Sequence, residues 1–257
     1  MGALLRLGFA VASYLLFFGS FLYLVGFTGN LFGEAASLTG MACLAGLPSI
    51  DAGPSATTGM AIVINVALIA LFGIQHSVMA RPRFKTWLTG FWPQSIERSL
   101  YVLATVVALA LIYHFWRPIT PLVWSAQADW LRMLLWVLFF AGWGILFIAT
   151  CLLNHFELFG LRQAWADFRG KTVPEMKFRT PLFYKLVRHP IYTGILLAIW
   201  AIPDMSQGHL LFAVGMTIYI LIGVRYEERD LIAHLGEQYV EYRKRVGAVI
   251  PGFGKAK

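Results

Sequence analysis

Arg188-His189-Pro190-Ile191-Tyr192-Thr193-Gly194 leads into an apolar stretch, and Glu227-Glu228 follow one hairpin later. A proline after a histidine fixes the backbone at the start of a helix, and the glycine permits close approach of backbone or ligand. Two cations and two carboxylates thus gather where hydrophobic chain meets a basic face. Such a grouping suits a small zwitterionic cofactor held at a membrane surface. The blander reading of Glu227 and Glu228 is a solvated helix start, where acids favour the dipole.

Three of the six histidines fall at the same ends of apolar segments. His76 sits in Gly73-Ile74-Gln75-His76-Ser77, His155 in Asn154-His155-Phe156-Glu157, and His189 in the Arg-His-Pro block. Ionisable groups at membrane depth are costly and tend to be functional or paired. Each taken alone reads equally as an interfacial histidine satisfied by a carbonyl or a lipid headgroup. His114 and His209 are expected on the opposite face as anchors, and His234 in solvent.

The elements that position these residues follow from composition. The chain of 257 residues is 58% apolar and 13% charged, against about 45–50% and about 25% for soluble domains. A span of the hydrocarbon takes about 20 apolar residues, and residues 7–27, 59–79, 99–115 and 131–153 approach that length. Residues 191–202 and 209–224 are shorter, and Pro190 and Pro203 bracket the first of them. They read as a short helical hairpin, its first arm extended by residues 182–187. The fold class is therefore all-α, a polytopic membrane bundle of six helices, or five plus the short hairpin. The first apolar segment is too long for the core of a signal peptide, about 7–15 residues, and is read as a span.

With six spans and an inside N-terminus, inside segments hold 19 Lys and Arg while Arg117 and Arg132 alone lie outside. This asymmetry predicts that both termini are cytosolic. It assigns the +8 charge to anionic lipid headgroups and not to nucleic acid. Cys43 and Cys151 fall on opposite sides, so no disulfide is expected. No Cys/His spacing resembles a metal site. Residues 28–58, rich in Gly, Ser, Thr and Ala, read as a loosely structured outer cap. Glu228, Leu231, Leu235, Tyr239, Tyr242 and Val246 recur every three or four residues, predicting an amphipathic C-terminal helix. With no internal repeat, residues 1–257 read as one domain.

Arg-His-Pro-x-Tyr-x-Gly, the hairpin, Glu227-Glu228 and Leu235-Gly236-x-x-Tyr239-x-x-Tyr242 together resemble the C-terminal half of the isoprenylcysteine carboxyl methyltransferase superfamily. The likeness covers roughly residues 170–250. More of the chain is similar to one branch, the bacterial methanethiol S-methyltransferases. That likeness rests on Gln75-His76-Ser77-Val78-Met79-Ala80-Arg81-Pro82, on Asn154-His155-Phe156-Glu157-Leu158-Phe159-Gly160-Leu161-Arg162-Gln163, and on Gly208-His209-Leu210-Leu211-Phe212-Ala213.

The resemblance implies S-adenosylmethionine as cofactor and methylation of methanethiol to dimethyl sulfide. It carries cofactor contacts onto His189, Pro190 and Tyr192, onto the upstream Tyr184, and onto Glu227. Met176, Lys177, Phe178 and Arg179 match a further cofactor segment, although Met176 stands where the carboxyl methyltransferases commonly have His. In that reading Glu227, with Glu228 beside it, accepts from the cofactor's ammonium. Arg188 or His189 faces its carboxylate, and Tyr184 or Tyr192 lies against the sulfonium.

Methyl transfer to a thiol needs the thiolate, so a base or a stabilising cation is required. His155 and His76 are the candidate bases, with Glu157 and Arg162 as orienting partners. A small apolar thiol can reach a membrane-embedded pocket from the lipid. The alternatives are a prenylated-cysteine carboxyl or lipid methyltransferase, and, in another class, a non-enzymatic membrane transport or assembly protein. Oligomeric state is left open.

Overall fold

The computed structural model describes residues 2–173 and 178–255. In chain order the helices are α1 (Ala3–Gly29), α2 (Phe32–Thr39), α3 (Thr58–Ala80), α4 (Pro82–Thr89), α5 (Glu97–Phe115), α6 (Asp129–Leu153), α7 (His155–Leu158), α8 (Leu161–Phe168), α9 (Pro190–Trp200), α10 (Gln207–Leu235) and α11 (Glu237–Arg245). Two short strands, β1 (Leu122–Ser125) and β2 (Asp204–Ser206), pair as a two-stranded sheet. The protein is an all-α polytopic membrane protein. Among the described residues, five segments are long and apolar enough to cross a bilayer: Ala3–Gly29, Thr58–Ala80, Gln94–Phe115, Asp129–Leu153 and Gln207–Leu235.

α9 is the short sixth. Its 11 residues rise about 16 Å, half of a hydrocarbon core about 30 Å thick. The expected extension of this arm through residues 182–187 does not occur. Leu182–Lys185 form a 3-10 turn, with Leu182 at φ 38°, and α9 starts only at Pro190, whose ring suits a first helical position. The other arm is longer than its apolar core. α10 runs 29 residues because the polar residues after Val224 are good helix formers. It ends at Gly236, whose φ of 60° breaks the helix. Glu227 and Glu228 therefore lie inside a helix, not at its start, and the expected amphipathic C-terminal helix is two pieces divided at Gly236.

The chain forms two compact units, each assembled from several stretches of sequence. One comprises Met1–Val123, Phe156–Pro174 and Met205–Phe212; the other comprises Trp124–His155, Glu175–Asp204 and Ala213–Lys257.

In the first unit α5 packs against both α1 and α3, and α8 lies along α1. The ring of Phe159 stacks on Phe17 at 4.1 Å, and Arg6 Nε pairs with Asp167 at 2.6 Å. The 28–58 segment is better ordered than a loose cap. It carries α2, and its Ile50 is fully buried, with its carbonyl accepting from Trp116 Nε1 at 3.0 Å. Asn30 and Ser206 both bond Asp51 there. His209, expected as an interfacial anchor, is fully buried. Its backbone N–H donates to Ser206 Oγ at 3.0 Å, which caps the start of α10.

In the second unit α6 and α9 form a close pair. A Cβ placed on Gly194 would meet the Gly142 carbonyl at 2.5 Å, and one on Gly142 would meet the Ala198 nitrogen at 2.6 Å. Small residues let helix backbones approach where no hydrophobic force drives helices together. Gly194→Val is expected to separate the helices and cost about 1–3 kcal/mol or more, read as a lowered Tm in detergent. An unchanged Tm would show that the close approach is dispensable.

Candidate active site

The backbone first sets the site. Val187 forms a parallel bridge with Gly247. Arg188 N–H donates to the Gly247 carbonyl at 2.9 Å, and His189 N–H to that of Ala248 at 3.1 Å. This seats the C-terminal segment beside the start of α9, and Thr193 Oγ1 adds a bond to the Val249 carbonyl at 2.7 Å.

The side chains then divide into two sets. Arg188 Nε donates to Glu228 Oε1 at 2.6 Å. Its Nη1 reaches the Arg243 carbonyl at 3.3 Å and also the Val246 carbonyl, and its Nη2 reaches that of Gly254 at 3.1 Å. Glu228 is bonded in turn by His189 Nε2 at 3.2 Å and approached by Arg243 Nε at 3.0 Å. Arg188 and Glu228 therefore rivet the tail to α10, and the guanidinium expected to face a cofactor carboxylate is committed to protein. Glu227 differs: its side chain is 44% exposed, with Oε2 turned inward 3.5 Å from His189 Nδ1. Adjacent helical residues project about 100° apart, which separates the two roles.

His189 is buried between these carboxylates. Burial opposes its charged form, but the carboxylates of Glu227, 3.5 Å away, and Glu228, bonded at 3.2 Å, outweigh burial and raise its pKa above 6.5. The stability this supplies is fully present below pH 6.5 and is lost as pH rises through the elevated value. The Tm should therefore fall with rising pH across that window. His189→Gln should flatten this slope; an unaltered slope would place the titration elsewhere.

Tyrosines close the site. Tyr242 Oη donates to the Tyr184 carbonyl, and Phe178 sets its edge against Tyr239 and Tyr242. Burial raises all three hydroxyl pKa values, that of Tyr242 to about 12, so they remain neutral donors. Among the described residues, Tyr184 Oη, Tyr239 Oη and Glu227 Oε2 are buried atoms without a hydrogen-bond partner. Unsatisfied buried polar atoms are rare and costly. Two donors and an acceptor gathered this way fit a ligand bearing both a carboxylate and an ammonium.

The candidate bases are built alike. Thr150 Oγ1 donates to the Phe147 carbonyl at 2.6 Å and lies 2.8 Å from His155 Nδ1. A hydroxyl has one proton, so Nδ1 must be the donor to Thr150 and the neutral ring carries its lone pair on Nε2. Asn154, at φ 106° after the end of α6, turns the chain so that His155 folds back onto that threonine. Burial lowers the His155 pKa, which keeps the ring neutral at pH 7. In the other unit, Thr105 Oγ1 donates to the Tyr101 carbonyl at 3.0 Å and lies 3.2 Å from His76 Nδ1. There Tyr101 Oη lies 2.6 Å from His76 Nε2 and supplies the proton. His76 thus has both nitrogens engaged, one of them by a phenol.

Glu157 pairs with Arg162 Nη1 at 2.5 Å, and its carbonyl accepts from Gln163. Pro190 and Tyr192 lie in the first turn of α9, where the Tyr192 ring stacks with His189 at 5.6 Å. Arg179 is exposed, and Met176 and Lys177 lie outside the described residues. Thr150, Tyr101, Thr105, Tyr239 and Arg243 enter the two centres without having been singled out for them. Tyr239 had its places in the amphipathic stripe and in the C-terminal motif but no assigned role, and Thr150 only its polarity inside an apolar helix.

Comparison with known proteins places this geometry in a family. Residues 64–251 match the family model described as NnrU protein. Methanethiol S-methyltransferase of Mycobacterium tuberculosis is 44% identical over 243 residues, covering 95% of this chain and 94% of the relative. Methanethiol S-methyltransferase 2 of Bradyrhizobium diazoefficiens is 47% identical over 246 residues, covering 95% and 88%. Human nurim is more distant, at 30% over 249 residues, covering 89% and 90%. No solved structure matches the chain. With near-complete coverage at such identities, the chain belongs to the methanethiol S-methyltransferases, within the NnrU family.

Proposed function

We propose that the protein transfers a methyl group from S-adenosylmethionine to methanethiol, forming dimethyl sulfide at the cytosolic face of the membrane. The observation that carries the acceptor is the likeness, over 95% of the chain, to enzymes named for that substrate. The cofactor is supported by the unpartnered atoms of Glu227, Tyr184 and Tyr239. When bound, the cofactor supplies a methyl on a sulfonium: the thiolate's electron pair forms the new C–S bond as the old one leaves with the neutral thioether.

Glu227 accepts from the ammonium, and the Tyr184 and Tyr239 hydroxyls donate to the carboxylate. Arg188 and Glu228 hold the floor on which these groups stand. His155 Nε2 takes the thiol proton, giving the thiolate needed for displacement. The excess of Lys and Arg in one set of connections supports cytosolic termini.

The purified protein, given labelled S-adenosylmethionine and methanethiol, is expected to release labelled dimethyl sulfide, read by gas chromatography. Cofactor binding without that product would move the acceptor to a larger thiol, a prenylated cysteine carboxylate or a lipid amine. A folded protein that binds no cofactor would favour the non-enzymatic transport or assembly reading.

A further inference from the structure

Within the first unit, a groove of about 530 Å³ is lined by Leu71, Gln75 and Met79 of α3, Leu88 of α4, and a face of α5 from Leu100 to Leu111. Ala104 and Ala108 contribute short side chains to its lining. The face of α5 from Leu100 to Leu111 rises about 16 Å, which is one leaflet of a hydrocarbon core about 30 Å thick. The groove is open along its length, so an acyl chain can lie in it from the lipid side.

The end of the groove is marked by charge. Leu88 belongs to α4, which also carries Arg83 and Lys85, and Arg98 lies in the first turn of α5, two residues before Leu100. From residue 81 to residue 98 four cations stand against one acid, Glu97. Trp87, Phe91 and Trp92 are exposed beside them, as aromatic residues are at the level of lipid headgroups. An apolar slot one leaflet deep, ending under a basic and aromatic rim, has the polarity of a single anionic phospholipid.

We infer that this groove holds one acyl chain of an anionic phospholipid, whose headgroup lies against Arg83, Lys85 and Arg98. No residue lining the groove is assigned a part in methyl transfer, so its failure and that of the transfer site are separable.

Native mass spectrometry of the delipidated full-length protein tests it, with phosphatidylglycerol and phosphatidylcholine of identical chains. Wild type is expected to retain one phosphatidylglycerol in preference to phosphatidylcholine. Ala104→Trp should lower retention of both lipids at least fivefold by filling the groove. Arg83→Ala with Lys85→Ala should abolish the preference while leaving phosphatidylcholine retention unchanged. Val107→Trp fills the same groove from an exposed position and stands in if Ala104→Trp fails to fold by circular dichroism. Equal retention by the filled and native proteins would overturn the site, and equal retention of both lipids by wild type would overturn its charge selectivity. A protein dimer that the filling variant abolishes would make the groove a self-interface and also overturn the inference.

Discussion

Glu227→Gln is expected to weaken binding of S-adenosylmethionine about 10- to 100-fold, the worth of a hydrogen bond to a charged group, while leaving the fold intact. The expectation rests on the contrast between neighbouring acids. Glu228 is 9% exposed and already bonded to Arg188 and His189, with Arg243 beside it. Glu227 is 44% exposed, with His189 3.5 Å away and the Tyr192 side chain as its further partner. Removing the charge from Glu228 strands Arg188 in a buried site, which costs about 3–5 kcal/mol and should appear as a lost or greatly lowered Tm. Removing it from Glu227 should leave the Tm within a few degrees and appear in the dissociation constant, measured by equilibrium dialysis with labelled cofactor. Unchanged cofactor affinity in a folded Glu227→Gln protein would sink the assignment. Reversed phenotypes for the two variants would exchange their roles.

That contrast also marks how far the amino-acid sequence alone reaches. The pairing of the Arg-His block with the two acids is legible, because charges at membrane depth must find partners. Which acid does what is not legible, because it depends on a rotation of about 100° around α10. Hydropathy located the long spans but misjudged α10, since it reports where the apolar core ends and not where the helix ends. The actual stop, Gly236, is a backbone event that polarity does not register. The tyrosines at 239 and 242 were visible as a periodic stripe and as motif residues, without a place in the site. Their part in the site follows from the break at Gly236 and from the strand-like contact of Val187 with Gly247, both tertiary features. His155 stood out as a histidine at a helix end, yet the residue that orients it, Thr150, is five positions earlier in an otherwise apolar helix. It is reached only because Asn154 adopts a positive φ, a conformation that asparagine tolerates but does not announce.

Removal of the imidazole at position 155 is the second large effect: His155→Ala is expected to lower kcat about 100- to 10,000-fold, the usual worth of a positioned general base, with cofactor affinity unchanged. His155 and His76 share one design, a helical threonine that donates to its own backbone and accepts from Nδ1–H. They differ in what tunes the ring, a phenol at His76 and burial at His155. At His76 the Tyr101 phenol occupies Nε2, so taking a thiol proton there requires breaking a short hydrogen bond. At His155 burial holds the ring neutral, and the tautomer fixed by Thr150 presents the lone pair on Nε2. Activity should therefore fall as pH drops through the lowered pKa of His155. Thr150→Val keeps the imidazole but removes the acceptor that selects its tautomer, so kcat should fall up to about tenfold, the value of one neutral hydrogen bond. His76→Ala should cost less than His155→Ala if Tyr101 holds that ring as a structural partner. Full activity in His155→Ala together with loss in His76→Ala would move the proton transfer to the Tyr101–His76 pair, where a phenol linked to an imidazole offers the other route for the thiol proton.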